Sequence, residues 1–210
     1  CSQSRGLGDV YKRQSITTAT VDLDAKLLNT TGILFCEGYV WDSPTARAAF
    51  LEAAARVKSG GGRIGFSLSD TFCVERHKPD FLDLFARDID ILLANFAEAQ
   101  ALLDVTDMAD IINAMQNAGV DGAITCGEEG AVIVRGDEAV RVAAHAVETV
   151  TDLTGAGDQF AAGYLCGVAR GRSAQTCGRM GALAAAEVIQ HFGPRPEKDL
   201  RAVFTAHGFE

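Results

Sequence analysis

The stretch Thr151-Asp152-Leu153-Thr154-Gly155-Ala156-Gly157-Asp158 sets small residues and a carboxylate just before the apolar run Phe160-Ala161-Ala162-Gly163-Tyr164-Leu165. Glycine admits positive φ and close backbone approach, so successive N–H groups can face one point. The start of a helix adds unpaired amide donors and partial positive charge. Such a bend is an anion hole. Asp158, one step into that helix, is favoured as a carboxylate by the same dipole and can take the proton of an alcohol during phosphoryl transfer. On its own, G-x-G-D reads equally well as a helix-start turn with a stabilised carboxylate. A dinucleotide-binding reading of Gly155-Ala156-Gly157 fails, because Phe160 stands where a third glycine is needed and no acidic residue closes a second strand at the proper distance.

Two further patterns carry candidate chemistry. Asp90-Ile91-Leu92-Leu93-Ala94 is an apolar run leading into Asn95-Phe96-Ala97-Glu98; N-x-x-E reads either as a capping box or as oxygen ligands for a magnesium–phosphate network. Ile124-Thr125-Cys126-Gly127-Glu128-Glu129-Gly130-Ala131 puts a glycine-bounded turn between two β-type runs, a hairpin by its local pattern.

These residues need a frame, and the periodicity supplies one. Short β-type runs at 33–39, 63–68, 89–94, 122–126, 131–135 and 139–142 alternate with amphipathic stretches, the pattern of an α/β protein with a mainly parallel sheet. Ser43-Pro44 predicts a capped helix to about Lys58, stopped by Gly60-Gly61-Gly62. Pro79 is expected to open a helix through Phe85, and 107–117 forms another, closed by Gly119. Helices then follow over 155–169, 173–191 and 199–206.

Composition narrows the class. The chain has 210 residues, 48% hydrophobic and 22% charged, enough for an ordinary globular core and one domain rather than two. A net charge of -9 argues against a broad nucleic-acid or anionic-membrane surface, so a phosphate site must be local. No segment is apolar enough to span a bilayer, and a cytoplasmic location is expected. The six cysteines form no C-x-x-C pair and read as reduced, mostly buried thiols; the four histidines lack zinc-ligand spacing.

Together the motifs resemble the pfkB (ribokinase-like) kinase family. The segment 152–158 is similar to that family's D-T-x-G-A-G-D signature, with Leu153 departing from the usual Thr, Ser, Pro or Val. The resemblance implies a three-layer α/β/α domain in which the Gly155, Ala156 and Gly157 backbone stabilises the transferring phosphoryl group and Asp158 is the base. It further implies ATP and Mg2+ as cofactors, with Asn95 and Glu98 holding magnesium through water. Thr125, Gly127, Gly130 and Thr154 are implied at the nucleotide, and Asp152, with the turn around Gly193, at a monovalent cation such as K+. Where many relatives carry Asn or His at the adenine, Ala182 stands here, which leaves the base to shape and apolar contacts. His191 and Arg195 are left as packing or surface.

Leu68-Ser69-Asp70-Thr71-Phe72 and Glu37-Gly38-Tyr39 resemble the adenosine kinase branch, so adenosine or a related nucleoside is the expected acceptor and a ribokinase- or fructokinase-type sugar the alternative. A non-catalytic nucleotide-binding protein on a decayed kinase fold is disfavoured, because base and magnesium residues are all present. Residues 1–14 are expected to be foreign: Asp9-Val10-Tyr11-Lys12-Arg13-Gln14 matches a translated transposon-end adapter (GAT GTG TAT AAG AGA CAG), leaving 15–210 as a partial kinase domain without its N-terminal part and lid. The partner is a small molecule; oligomeric state is not legible.

Overall fold

The computed structural model describes residues 17–209, so the expected adapter segment lies outside the described residues. The chain forms two compact units, one taking in the residues up to Leu93 with Ala97–Val120, the other Ala94–Phe96 with Asp121–Glu210.

In the first unit β1 (Ile33–Glu37), β2 (Arg63–Ser67) and residues 91–93 of β3 (Ile91–Asn95) pair in parallel, Ile33 opposite Arg63 and Gly65 opposite Ile91. The short α1 (Ala25–Leu28) is capped by Asp24. Helix α2 (Pro44–Ser59) starts as its sequence predicts: the Ser43 hydroxyl accepts from the Ala46 N–H at 3.3 Å, and Pro44 occupies the first turn, where its missing donor costs nothing. Its inner face, Ala46, Ala49, Phe50, Ala53 and Val57, is buried. Trp41 holds the adjoining core together, meeting Phe50, Phe66 and Phe81 edge-on at 5.3, 5.4 and 5.6 Å.

Helix α3 (Thr71–Arg87) corrects the expectation of a start at Pro79. Asp70 caps it, accepting from the Cys73 N–H at 2.6 Å, and Pro79 lies inside. Proline cannot donate to the carbonyl four residues back and crowds it, so the helix bends, with His77 at φ -118° and ψ 15°. Arg76 and His77 both reach Asp42 across the bend, at 3.0 and 2.8 Å. Helices α4 (Phe96–Leu103) and α5 (Met108–Ala118) follow, the latter capped by Asp107 and closed by Gly119 in the left-handed region.

The second unit opens with an antiparallel meander of β4 (Asp121–Thr125), β5 (Ala131–Arg135) and β6 (Glu138–Val142). Helices α6 (Ala156–Ala169), α7 (Ala174–Val188) and α8 (Leu200–Ala206) complete it. Small residues let α6 and α7 touch: a Cβ on Gly163 would lie 2.4 Å from the Met180 carbonyl oxygen. Met180, Leu183, Ala184, Phe204 and Phe209 form a core at this end. The α/β class holds, with parallel pairing among β1, β2 and β3 and antiparallel pairing in the β4–β6 meander. Among the described residues no helix is long and apolar enough to cross a membrane.

Candidate active site

The bend before α6 is built around Gly155. This residue adopts φ 82°, and a Cβ there would sit 2.6 Å from the Pro194 Cβ, so both backbone conformation and space require glycine. Gly157, in the first turn of α6, is the reverse case: an added Cβ would meet nothing within 4 Å. Its backbone therefore borders open space that a ligand can enter. The Ala156 N–H already donates to the Leu153 carbonyl at 3.2 Å. Among the described residues no backbone carbonyl accepts from the Gly155 or Gly157 N–H. Asp158 is in the same first turn and exposed.

The bend is fastened to the turn that follows α7. Asp152 Oδ1 accepts from the Thr154 N–H and hydroxyl at 2.9 and 2.7 Å, and its Oδ2 accepts from the Gly193 N–H at 3.1 Å. The Thr154 hydroxyl and the two amides hold the Asp152 carboxyl below its ordinary range. The Thr151 hydroxyl donates to the Gln190 carbonyl at 2.9 Å, and the Gln159 amide to the Pro194 carbonyl at 3.2 Å. Behind the turn, buried Glu187 accepts from the Glu197 and Lys198 N–H groups at 3.1 and 2.9 Å and faces His191 at 3.4 Å. Sequence reasoning left His191 as packing and did not single out Glu187 or Pro194; the turn dipeptide Gly193-Pro194 after a long helix was the available signal.

The hairpin turn lies beside a second feature. Gly127 and Gly130 have φ 59° and 93°, around a short 3₁₀ turn over Gly127–Glu129, and the Thr125 hydroxyl donates to the Ala94 carbonyl at 3.5 Å. A Cβ on Gly130 would lie 2.0 Å from the Val142 carbonyl oxygen and 2.6 Å from the Ala144 nitrogen, so the turn packs directly on the strand-end segment 142–144. That segment walls a cavity of about 290 Å³ whose floor includes Val142, Ala182 and Leu183. Small for a drug-sized ligand, it is ample for one heterocycle. Ala182, the position expected at the base, thus lines a cavity beside Thr125–Gly130.

Asn95, exposed, belongs to the second unit, and Glu98, only 6% exposed, to the first. The described thiols are free, as expected, and burial pushes the Cys36 thiol up to about 12, with the Glu37 charge adding to it.

The sequence pattern of the pfkB family carbohydrate kinases matches residues 10–200. This chain belongs to that family. The pfkB chain is similar in structure to an adenosine kinase from Sinorhizobium meliloti, with a TM-score of 0.88 and 38% identity, covering 91% of this chain and 59% of the other. It is 30% identical over 154 residues to a cytidine kinase of Thermococcus kodakarensis, covering 72% of this chain and 55% of that protein. It is likewise 30% identical over 160 residues to the 2-dehydro-3-deoxygluconokinase of Escherichia coli strain K12, covering 72% and 51%. The pfkB chain therefore spans between half and three-fifths of these relatives, which act, by name, on nucleosides and on a sugar acid.

Proposed function

We propose that the protein is a kinase that moves the γ-phosphoryl group of ATP to a primary alcohol, most readily that of adenosine or a related nucleoside. The observation that carries this reading is the start of α6, where a pinned Gly155, a Gly157 bordering open space and an exposed Asp158 share one turn. Asp158 accepts the hydroxyl proton as the alcohol oxygen bonds to the γ-phosphorus and the bond from that phosphorus to the β-phosphate oxygen breaks, releasing ADP. The Gly155 and Gly157 amides offset charge gathering on the transferring oxygens, and they are held in place beforehand by the Asp152–Gly193 and Gln159–Pro194 bonds. Base and sugar of the donor lie along the Thr125–Gly130 turn, with the base in the cavity floored by Ala182.

The amide and carboxylate oxygens of the N-x-x-E pattern are hard donors of the kind magnesium takes. Among the described residues no three carboxylate, thiol or imidazole groups converge as a metal cage. A small hard cation that keeps several waters and binds mostly to nucleotide phosphates needs none. Asn95 and Glu98 would hold it through water. When bound it supplies charge neutralisation at the phosphates. Asp152 accepts three loop hydrogen bonds, only one of them on Oδ2, which keeps a lone-pair site for a monovalent cation.

A sugar or sugar-acid acceptor is the second reading, favoured by the likeness to the 2-dehydro-3-deoxygluconokinase. In a chain extended to the length of its relatives, ATP-dependent phosphorylation of adenosine, cytidine, ribose and 2-dehydro-3-deoxygluconate decides between them. Asp158→Asn should lower kcat by about 10²–10⁴, and excess EDTA should stop turnover. An unimpaired Asn variant would remove Asp158 from the chemistry.

A further inference from the structure

The cavity beside the hairpin turn has a rim unlike its floor. Its floor is aliphatic, whereas Arg141, Gln175 and Arg179 stand around it with His145 and His207, whose rings meet edge-on at 5.4 Å. No Asp or Glu among the described residues lines it. Among the described residues neither arginine has a carboxylate within ion-pair distance, in a chain whose net charge is -9. The Arg179 guanidinium lies over the Phe209 ring, 4.9 Å from its centre. Stacking of this kind fixes the plane of the fork and leaves its N–H edges directed outward. Arg141 is close enough to the hairpin turn to oppose the rise of the Cys126 thiol, which burial and then Glu129 push up.

A guanidinium donates and never accepts. Adenine offers a donating amino group at position 6; among the described lining residues Gln175 has the one side-chain amide oxygen that can accept it, against two arginines that only donate. A 6-oxopurine offers oxygen at position 6 beside the N7 acceptor, the pair an arginine fork grips with two parallel hydrogen bonds. We infer that the cavity is built for a base presenting acceptors, so that 6-oxopurine triphosphates serve as phosphoryl donors at least as well as ATP. Arg179 is the reading residue, and Arg141 supports it from the β6 side. The inference rests on the kinase reading above and concerns only which triphosphate enters.

ITP and ATP differ at position 6 and in the N1 proton that accompanies it, which makes them the cleanest probes. With the full-length protein, kcat/KM for ITP should equal or exceed that for ATP, and IDP should compete for binding at least as well as ADP in equilibrium dialysis. Arg179→Ala should lower the ITP-to-ATP ratio by about tenfold or more, the scale of one bidentate base contact. Arg179→Lys, which keeps the charge and loses the fork, should lower it similarly. A wild-type ratio below one tenth, or a ratio unmoved by Arg179→Ala, overturns the inference while leaving the kinase reading standing. Ala182→Trp, which fills the floor, separates the two failures. If it leaves KM for every triphosphate unchanged, the cavity does not hold the base and both the base placement and this inference fall. If no triphosphate supports transfer, the kinase reading falls and takes the inference with it.

Discussion

The two glycines that flank Ala156 should fail in opposite ways when each gains a methyl group. Gly157→Ala adds a Cβ with nothing within 4 Å. Alanine is a better helix residue than glycine by up to about 1 kcal/mol, so the variant should be as stable as the parent or slightly more so. Its activity should nevertheless collapse, because the methyl group occupies the space through which a phosphoryl oxygen reaches the amide. Loss of one such donor costs about 10²–10³ in kcat. Gly155→Ala must place a side chain at φ 82° and 2.6 Å from the Pro194 Cβ. The left-handed conformation costs about 1–2 kcal/mol and the overpacking about 1–3 kcal/mol, together about 2–5 kcal/mol. In a chain of this size that lowers the melting temperature by on the order of 10 °C. Thermal unfolding and steady-state turnover on the same preparations test both claims. A Gly157→Ala variant that turns over within threefold of the parent refutes the anion hole. So does a Gly155→Ala variant no less stable than Gly157→Ala refute the pinning by Pro194.

Three other outcomes follow from the geometry. The depressed carboxyl of Asp152 contributes stability that is complete above its unfolded value near pH 4 and is lost as pH falls through the lower folded value. Asp152→Asn should therefore be less stable than the parent at neutral pH, with the gap closing in acid, as read by denaturant midpoints across pH. Asp70→Ala removes both the α3 cap and the partner of the Tyr39 hydroxyl, 2.5 Å away, and should cost about 0.5–2 kcal/mol for the cap alone. Tyr39→Phe should cost less, since the cap survives; equal losses would show that the cap contributes nothing. Cys36, with its thiol pushed to about 12, should resist iodoacetamide at pH 8 in the native protein and react once unfolded.

Strand positions were legible because their apolar runs are short and five of the six begin shortly after a glycine: Gly32, Gly62, Gly119, Gly130 and Gly136. All six start and end within two residues of their expected limits. At 71–87 Pro79 reads as a helix start, whereas the cap is Asp70, nine residues earlier. Proline inside a helix is tolerated here by a bend, which sequence alone does not announce. The residues of the bend at 152–158 could be named from their types and order. Their fastening could not: Asp152 meets Gly193 and Gly155 meets Pro194 only after the chain has passed through two helices. The cavity rim was equally hidden, since Arg141 comes from β6, Arg179 from α7 and His207 from the cap after α8.

That fastening ties the evolutionary fate of two distant stretches together. Residues 151, 152, 155 and 159 each find their counterpart among 190, 193 and 194. A bulkier residue at 155 is tolerable only if 194 recedes, and a lost carboxylate at 152 leaves the 193 amide in need of a new acceptor. Among kin of this chain these positions should drift as linked pairs, whereas Gly157, which touches nothing, should vary or persist on ligand grounds alone.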